Sequence, residues 1–557
     1  MDNNKLAELL FPEIDKLPSF WEQKYQKRNL SQGEEVTRYA PSPTGFVHFG
    51  ALFASLADFL VAKKSKGVVF LRIEDTDKKR EVLGGVQEIV NTLKSFNINF
   101  DEGESFGGEY GPYIQSEREE IYKTYAKELV KKGKAYPCFC SESDLEHMRE
   151  KQEKNKENIG YHGEYAVCRN LSYEQIEQKI KNGEKFVLRF KCPYNENDKV
   201  EINDIIRGKR VVPQNINDVV IIKSNGLPPY NLAHAVDDHL MQTTLVIRGD
   251  EWFSSLSEHL QLFEALGFTP PKYAHISPIQ KVDENGNRRK LSKRKDPEAD
   301  MNFFAENGYP VGAVKDYILT LLNSDFEQWR AQNPKEDILN FDFSLKKMSA
   351  SGSLFDIKKL TDISKNYISG LTNIEVYDLA KSWAEKYDKQ LYKNFVDNKN
   401  YWLDILNIDR NIPKPRKDLS HFKEIFETYN YMFDEEFIGK NILKENNIFE
   451  LLSAYDKEAV LKVLQEYPKF YDECDEQSVW FDKIKDLSEK IGFAREVKEF
   501  KQNPEKFKGH CGDVSTIIRV AITGRTQTPN LYEILKLLGK DSISKRLKLA
   551  LEVLNSK

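Results

Sequence analysis

The sequence predicts an α/β protein whose parallel sheet is split by an inserted segment and followed by a mostly helical C-terminal half. Three observations support this prediction. The 557 residues exceed what one hydrophobic core supports, so two to four domains are expected. Residues 35–73 alternate strand, loop, helix and strand. After the basic loop 288–295, apolar residues recur at helical spacing to the end of the chain.

The composition is that of an ordinary folded protein, with 40% hydrophobic and 31% charged residues. No stretch approaches the roughly 20 apolar residues that a membrane span requires, and the first residues lack the apolar core of a secretory signal. We therefore predict a cytoplasmic protein with no membrane partner. The formal charge of −5 gives no overall signal for nucleic acid, although an acidic protein can carry a local basic face.

The first predicted unit is a strand, a loop, a helix and a second strand. A short apolar strand (36–40) leads into the loop PSPTGFVHFG, and leucine and phenylalanine then recur at helical spacing from Leu52 to Leu60. Gly67 is placed to end the helix in a left-handed conformation before the run VVFLRI. Because open α/β sheets bind ligands at the carboxyl ends of their strands, this loop is the first candidate site.

The residue composition of the other segments indicates where the sheet domain is interrupted. An N-terminal extension (1–34) resembles an amphipathic helix with a polar connector, and the first half of the sheet domain occupies 35–116. Lysine- and glutamate-rich helices with short strands fill 117–215, and a second α/β stretch resumes at 216–300 with VVIIKSNGLPPYNLAHAVDDHL. We therefore predict that 117–215 is an insertion within one nucleotide-binding fold.

Two motifs carry the chemistry. A helix that begins near His48 and Gly50 would present backbone N–H groups to a phosphate, with the imidazole as a further donor. Lys290 and Lys293, in KLSKR, are compact cations suited to the charge of a departing pyrophosphate. Taken singly, the first motif is equally well a proline-rich turn, and the second is more commonly a solvated loop or a nuclear signal.

Together, these motifs resemble a known pair. PSPTGFVHFG is similar to the signature that usually ends His-Ile-Gly-His, and KLSKR is similar to Lys-Met-Ser-Lys-Ser; the pair marks class I aminoacyl-tRNA synthetases. LRIEDTDKKR, PPYNLAHAVDDHL and VIRGDEW resemble bacterial-type glutamyl-tRNA synthetase, and GDVSTIIRVAITGRTQTP resembles the anticodon-binding region of that family. Ala51, Leu291 and Arg294 depart from the signatures, but His48 and Gly50 remain.

The resemblance implies a Rossmann-type catalytic domain, an inserted connective domain that binds the acceptor end, a stem-contact region (301–368) and a helical anticodon-binding region (369–557). It implies a monomer that uses ATP and Mg²⁺ to form glutamyl-adenylate and transfers glutamate to tRNA(Glu). Such enzymes generally need tRNA before they form the adenylate. Whether tRNA(Gln) is also charged stays open, because one sequence does not align the anticodon contacts.

The resemblance also assigns site residues by position. It implies catalytic roles for His48, Gly50, Lys290 and Lys293. It implies ATP contacts by Ala40, Thr44, His48, Gly50, Glu251, Trp252 and Lys293. It implies glutamate contacts by Arg38, Ser42, Glu74, Tyr230 and Arg248. His234 stands where the family often has asparagine, so its contact is left open, and for Tyr230 and Trp252 core packing is the alternative.

The residues favour glutamate over glutamine. Glutaminyl-tRNA synthetases usually begin the first motif Pro-Glu-Pro-Asn-Gly, whereas this chain has Pro-Ser-Pro-Thr-Gly. Arg248, with Arg38 as a second cation, would offer paired donors to a carboxylate, but a glutamine side chain would turn its NH₂ group toward them.

Other functions fit less well. A small nucleotidylyltransferase shares a His-x-Gly-His loop, and a glutamyl-queuosine enzyme shares the catalytic core, but neither needs some 250 residues after KLSKR. A catalytically inactive tRNA-binding paralogue is the remaining alternative. Retention of His48, Lys290, Lys293 and Arg248 argues against it.

Three cysteines suggest a metal site. Cys138 and Cys140 form C-x-C, with Cys168 downstream, and some family members bind Zn²⁺ through C-x-C and a later Cys-x-His. That histidine is missing here, and structural zinc takes four ligands. The fourth would come from Tyr165, His162 or water, and free buried cysteines are the alternative.

Overall fold

A computed structural model describes residues 2–43, 47–77, 82–292 and 294–556. The chain forms two compact units. Unit 1 comprises Met1–Phe303 and Lys315–Asp356, and unit 2 comprises Phe304–Val314 and Ile357–Lys557. No helix among the described residues is long and apolar enough to cross a membrane.

The strands all lie in unit 1, as far as the chain is described. They are β1 (Val36–Tyr39), β2 (Val68–Leu71), β3 (Glu102–Gly103), β4 (Ala135–Cys138), β5 (Val187–Phe190), β6 (Lys199–Asp204), β7 (Gly208–Pro213), β8 (Val220–Ile222), β9 (Leu245–Gly249), β10 (Lys272–Ile276), β11 (Gln280–Val282) and β12 (Arg288–Lys290).

Helices flank these strands and form unit 2. The helices up to residue 332 are α1 (Asn3–Leu10), α2 (Pro18–Lys24), α3 (Phe49–Ser65), α4 (Gly85–Ser95), α5 (Glu119–Lys131), α6 (Glu142–Asn155), α7 (Tyr173–Lys181), α8 (Tyr230–Leu240), α9 (Leu256–Leu266), α10 (Met301–Asn307), α11 (Val311–Leu322) and α12 (Phe326–Gln332). Those that follow are α13 (Ile357–Gly370), α14 (Asn373–Tyr387), α15 (Lys389–Asp397), α16 (Lys399–Asn407), α17 (Ile425–Tyr429), α18 (Asp434–Phe437), α19 (Ile442–Glu445), α20 (Ile448–Leu451), α21 (Lys457–Glu466), α22 (Gln477–Lys490), α23 (Val497–Gln502), α24 (Cys511–Thr523) and α25 (Leu531–Asn555).

The predicted β1-α3-β2 unit is confirmed: β1 and β2 pair in parallel, with Val36 opposite Val68. Helix α3 ends one residue earlier than predicted, because Lys66, not Gly67, takes the left-handed conformation, with φ of 60°. Glycine is needed at 67 for another reason. A Cβ atom there would lie 1.9 Å from the backbone oxygen of Glu35, so only glycine lets the entry to β2 pass so close to the entry to β1.

Parallel pairing also organises the second half of the sheet domain. Strands β9 and β10 are parallel, and the Thr244 N–H donates to the Val36 oxygen at 3.0 Å, which brings the start of β9 beside β1. The carboxyl ends of β1 and β9 therefore carry the loops that hold the first motif and residues 250–252.

Strand pairing crosses the predicted boundary at 215/216. The β6–β7 hairpin belongs by sequence to the insertion, but β6 pairs with β10 in the sheet of order β7-β6-β10-β9. Conversely β8, which follows the boundary, pairs antiparallel with β5 in the sheet β4-β5-β8.

The N-terminal extension folds onto α5. Helices α1 and α2 bury Leu6, Leu10 and Trp21 in a core shared with α5. Lys127 of α5 donates its buried ammonium to the backbone oxygens of Phe11 at 3.0 Å and Ile14 at 2.7 Å. The extension is therefore part of unit 1.

Unit 2 buries its own apolar core among its helices, in agreement with the predicted periodicity. The final predicted helical run is bent rather than straight, because Gly539 has φ of 73° and ψ of 164° inside α25.

Candidate active site

The first motif forms the start of α3. His48 is the N-cap residue, and its Nδ1 accepts the Gly50 N–H at 2.9 Å. In a neutral imidazole the other nitrogen then carries the proton, so Nε2 is the donor. His48 also forms an isolated β-bridge with Asp300, which brings the first motif beside the segment that follows KLSKR. Thr44 lies outside the described residues.

The second motif follows the β11–β12 hairpin. Arg289 donates two hydrogen bonds to the buried Asp296, at 2.6 and 2.7 Å, and Asp296 also accepts the Ser292 N–H at 2.9 Å. The Arg289 contact holds the pKa of Asp296 well below its usual range. This carboxylate therefore closes the loop around Leu291, which is buried, while Lys290 is exposed. Lys293 lies outside the described residues.

The predicted amino-acid pocket assembles around one hydroxyl group. Tyr230, the first residue of α8, accepts N–H from Arg38 of β1 at 3.4 Å and from Arg248 of β9 at 3.1 Å. The Tyr230 ring centroid lies 4.2 Å from that of Trp252. Arg38 and Arg248 are 3% and 6% exposed, so both guanidinium groups are largely removed from water.

A carboxylate network lies beside these arginines. Arg72 is fully buried, and it donates to Asp238 at 2.7 Å and to Glu74 at 3.0 Å. Burial acts to raise the pKa of Asp238, but Arg72 and Arg38 hold it well below its usual range. Burial raises the pKa of Glu74 despite the same two arginines. Ser42 is exposed and donates to the Glu74 backbone oxygen at 2.6 Å.

Both ring nitrogens of His234 face protein groups, so neither is placed to contact a substrate. His234 is fully buried and parallel to the Tyr230 ring, with the centroids 5.2 Å apart. Its Nε2 lies 3.1 Å from the Tyr273 hydroxyl, and its Nδ1 lies against Asp238. This histidine therefore supports Tyr230 from behind.

Sequence reasoning missed four members of this site: Arg72, Asp238, His259 and His275. Signals for them were present. Arg72 is a charge within an apolar strand run, and four of the nine histidines in the chain fall between residues 234 and 275. A clustering of rare titratable residues is typical of a functional site.

Three of the residues predicted to contact ATP, Ala40, Glu251 and Trp252, follow two neighbouring strands. Ala40 directly follows β1, and Glu251 and Trp252 lie in a short 3₁₀ turn directly after β9. Glu251 is exposed, whereas Trp252 is half-buried.

Comparison with known families agrees with this geometry. A family model described as "tRNA synthetases class I (E and Q), catalytic domain" matches residues 34–362, and an "Anticodon binding domain" model matches residues 375–551.

The chain belongs to this class I synthetase family.

Its relatives are glutamate–tRNA ligases. The synthetase is 46% identical to the glutamate–tRNA ligase of Acetivibrio thermocellus and 45% identical to that of Clostridium beijerinckii; each alignment covers 98% of this chain and 99% of the relative. Alignments of that coverage also include most of residues 1–34. A solved glutamate tRNA ligase from Elizabethkingia meningosepticum, in complex with its amino acid, superposes with a TM-score of 0.74 at 27% identity, over 94% of this chain and all of the other.

The synthetase also gathers its three predicted cysteine ligands. The sulfur atoms of Cys138, Cys140 and Cys168 all lie within 4.8 Å of one another. The Tyr161 hydroxyl is 3.4 Å from both Cys138 and Cys140. The two side chains predicted as alternatives to water for the fourth ligand have other contacts: Tyr165 donates to Glu157 at 2.5 Å, and His162 Nε2 lies 2.9 Å from the Asn158 backbone oxygen.

Proposed function

We propose that this chain is a glutamate–tRNA ligase that activates glutamate with ATP and transfers it to the 3′ end of tRNA(Glu). The observation that carries the proposal is the pair of buried arginines joined at the Tyr230 hydroxyl, in a chain that aligns with glutamate–tRNA ligases over nearly its full length. A pocket of this charge favours an anionic amino-acid side chain.

Arg248 is the proposed partner of the substrate γ-carboxylate. Within the described ranges, no carboxylate lies within salt-bridge distance of it, whereas Arg38 and Arg72 both reach Asp238. The Tyr230 hydroxyl accepts from two arginines and still has its own proton to donate. A substrate carboxylate satisfies all three donors, but the NH₂ group of glutamine would oppose them.

The two chemical steps follow from the loops around the pocket. An oxygen of the glutamate α-carboxylate attacks the α-phosphorus of ATP, and pyrophosphate leaves. A ribose hydroxyl of the terminal tRNA nucleotide then attacks the carbonyl of the mixed anhydride, and AMP leaves. His48 Nε2–H, the N-terminus of α3, Lys290 and Lys293 are proposed to stabilise the phosphate charge during the first step. Positioning and electrostatics supply most of the acceleration.

Mg²⁺ is proposed to bind with ATP rather than on its own protein site. Among the described residues, the only close group of three or more cysteine, histidine or acidic ligands is the cysteine cluster. This donor set fits Mg²⁺ poorly, since that ion prefers oxygen ligands and is commonly held largely by substrate phosphates. When bound there, the ion would neutralise charge on the departing pyrophosphate.

Pyrophosphate exchange tests the whole proposal. With glutamate, ATP and tRNA(Glu), the purified chain should exchange labelled pyrophosphate into ATP, and omission of tRNA should suppress exchange. Charging of tRNA(Glu) and tRNA(Gln) in parallel decides whether the second tRNA is also a substrate. Binding of tRNA without exchange would instead favour the inactive paralogue.

The cysteine cluster is proposed to hold a structural Zn²⁺, with Tyr161 as fourth ligand. The three sulfur atoms lie within 4.8 Å of one another and the Tyr161 oxygen is 3.4 Å from two of them, an arrangement that suits a closed four-ligand site. Elemental analysis of protein purified without chelator should find zinc, and less than about 0.2 zinc per chain would reject the site. Tyr161→Phe should weaken metal retention while Tyr165→Phe does not. Cys140→Ser should lose metal and thermal stability together but keep its ATP affinity.

We further propose a monomeric enzyme of the cytoplasm, where tRNA is charged for translation. Light scattering after size exclusion should give a mass near 64.7 kDa. A mass near twice that value would reject the monomer.

A further inference from the structure

Arg248 is oriented by two histidines rather than by carboxylates. Its Nε donates to His275 Nε2 at 3.0 Å, and its Nη2 lies 3.1 Å from His259 Nδ1. Both imidazoles are fully buried. The two contacts fix the plane of the guanidinium group, because they hold two different nitrogen donors of one rigid, planar group.

The protonation of both rings follows from their second nitrogen. A nitrogen that accepts from Arg248 carries no proton, so in each neutral ring the opposite nitrogen is the donor. His275 Nδ1 lies 2.7 Å from Asp204, and His259 Nε2 lies 3.0 Å from the Asn231 side-chain oxygen. Both opposite nitrogens therefore have acceptors.

Asp204 is already balanced by the backbone. Its carboxylate accepts N–H groups from His275 at 3.0 Å, Ile206 at 2.9 Å and Arg207 at 2.8 Å. These backbone donors stabilise the negative charge of Asp204, so a neutral His275 is sufficient as its side-chain partner. On the other side, the Asn231 side-chain amide donates to Glu258. Arg248, His259 and Asn231 therefore each donate to the next group, and the series ends at Glu258.

A charged imidazole would break this arrangement. A second proton on either ring would point an N–H group at the guanidinium, which has only donors. Burial, followed by the charge of Arg248, lowers the pKa of His259 well below its usual value, and burial is also the main cause that lowers the pKa of His275. The rings therefore act as uncharged acceptors.

Arg72 shows the alternative within the same region. It is held by Asp238 and Glu74, so its positive charge is balanced by the protein itself. Arg248 is instead held by two neutral rings, which leave its positive charge uncancelled. Arg72 already contacts two carboxylates, so a substrate carboxylate would gain less there than at Arg248, which has none within salt-bridge distance among the described residues.

We propose that His259 and His275 are positioning and specificity-determining residues, which orient Arg248 as neutral acceptors and so reserve its positive charge for the side-chain carboxylate of the substrate. The inference rests on the proposed contact between Arg248 and glutamate. It adds a reason why these two positions are histidine: aspartate or glutamate would orient the guanidinium equally well but would neutralise it.

A matched pair of substitutions isolates the charge. Asparagine places an oxygen where His259 has Nδ1, and aspartate has the same shape with a negative charge. His259→Asn should keep the Michaelis constant for glutamate within about threefold of wild type, and His259→Asp should raise it about tenfold or more. In His259→Asp the KM for ATP should stay unchanged, and the preference for glutamate over glutamine should fall by a similar factor.

His275 provides a second pair, which serves if His259→Asp does not fold. Here glutamine and glutamate place an oxygen where His275 has Nε2, so His275→Gln and His275→Glu should differ in the same way. Thermal unfolding of each variant shows whether a change in the glutamate KM comes from the altered charge or from a loss of folded structure. Equal glutamate KM values in the neutral and acidic members of a pair would overturn the inference, as would equal losses in both that track a lower melting temperature.

The Arg248→Gln variant separates this inference from the function on which it rests. If Arg248→Gln loses glutamate activation but the His259 pair behaves alike, only the histidine inference fails. If Arg248→Gln has wild-type glutamate kinetics, the assignment of the carboxylate contact fails first.

Discussion

Tyr230 places one oxygen atom between two guanidinium groups, so a single residue sets the spacing of the cations in the pocket. The distances are 3.4 Å to Arg38 and 3.1 Å to Arg248. His234 supports the tyrosine ring from behind, and Trp252 covers another side of it. At the scale of residues, the site is thus built from rigid aromatic rings that fix flexible charged side chains.

Arg248→Gln is expected to abolish glutamate activation while ATP binding stays nearly intact. The guanidinium is proposed to pair with the substrate carboxylate, and loss of a buried charged hydrogen bond costs about 2 to 5 kcal/mol. Exchange kinetics and ATP binding measured separately test this. Lys5→Gln, at an exposed position of α1 in the N-terminal extension, is the control and should behave as wild type.

Lys293→Ala is expected to lower the rate of activation far more than the affinity for glutamate. This prediction rests on the sequence, and its reason is that the charge is needed as pyrophosphate departs. The effect should appear in kcat. A change confined to the glutamate KM would contradict that role.

His234 is expected to make the free energy of unfolding depend on pH. Burial lowers the pKa of this histidine to about 4, whereas in the unfolded chain it is about 6.5. As pH falls through that window the unfolded state takes up the proton first, so the free energy of unfolding should fall, by up to about 3 kcal/mol. His234→Asn should lose less stability between pH 7 and 4.5 in urea titrations. Parallel pH profiles for the two proteins would count against this cause.

At the scale of elements, the N-terminal extension is held to α5 by side chains from both partners. Trp21 is buried in the shared core and donates to the Thr124 hydroxyl at 3.2 Å. Lys127 donates to the backbone oxygens of Phe11 and Ile14, in the segment between α1 and α2. The three contacts join residues that are 103 to 116 positions apart in sequence. The extension therefore stabilises the helix that follows the first half of the sheet.

Trp21→Ala is expected to destabilise unit 1 by about 3 to 5 kcal/mol, because it leaves a large cavity against α5. Phe20→Ala, at the adjacent position with 45% of its side chain exposed, should cost much less. Urea unfolding of the two variants measures the difference. Similar losses at both positions would mean that α2 does not pack as described.

At the scale of the whole molecule, two units each bury their own apolar core. Chains with separate cores commonly unfold in more than one step. Calorimetry should resolve two transitions. Trp21→Ala should lower one of them, and Trp402→Ala, whose tryptophan is fully buried in unit 2, should lower the other. A single transition that both variants shift equally would contradict this independence.

The sequence alone determined the class of the fold and the family, and it predicted the residues of the pocket. The β1-α3-β2 unit was predictable because its strand and helix periods, and the turn between them, are local properties of the chain. Arg38, Tyr230 and Arg248 were predicted because each stands at a matched position of a short family motif, and the structure brings the three together. The three cysteines of the cluster were predicted for the same reason, whereas the neighbouring Tyr161 was not.

Only the tertiary structure decided what surrounds those residues. Asp238 and Arg72 are 166 positions apart, and no local period indicates that they form a buried pair. The same holds for the pairing of β6 with β10, and for the histidines that face Arg248 from α9 and β10. Such contacts depend on how packed elements bring distant side chains together, and burial then makes each polar group require a partner. Residue types predict the chemistry of a site, but its partners and their charges are set by packing.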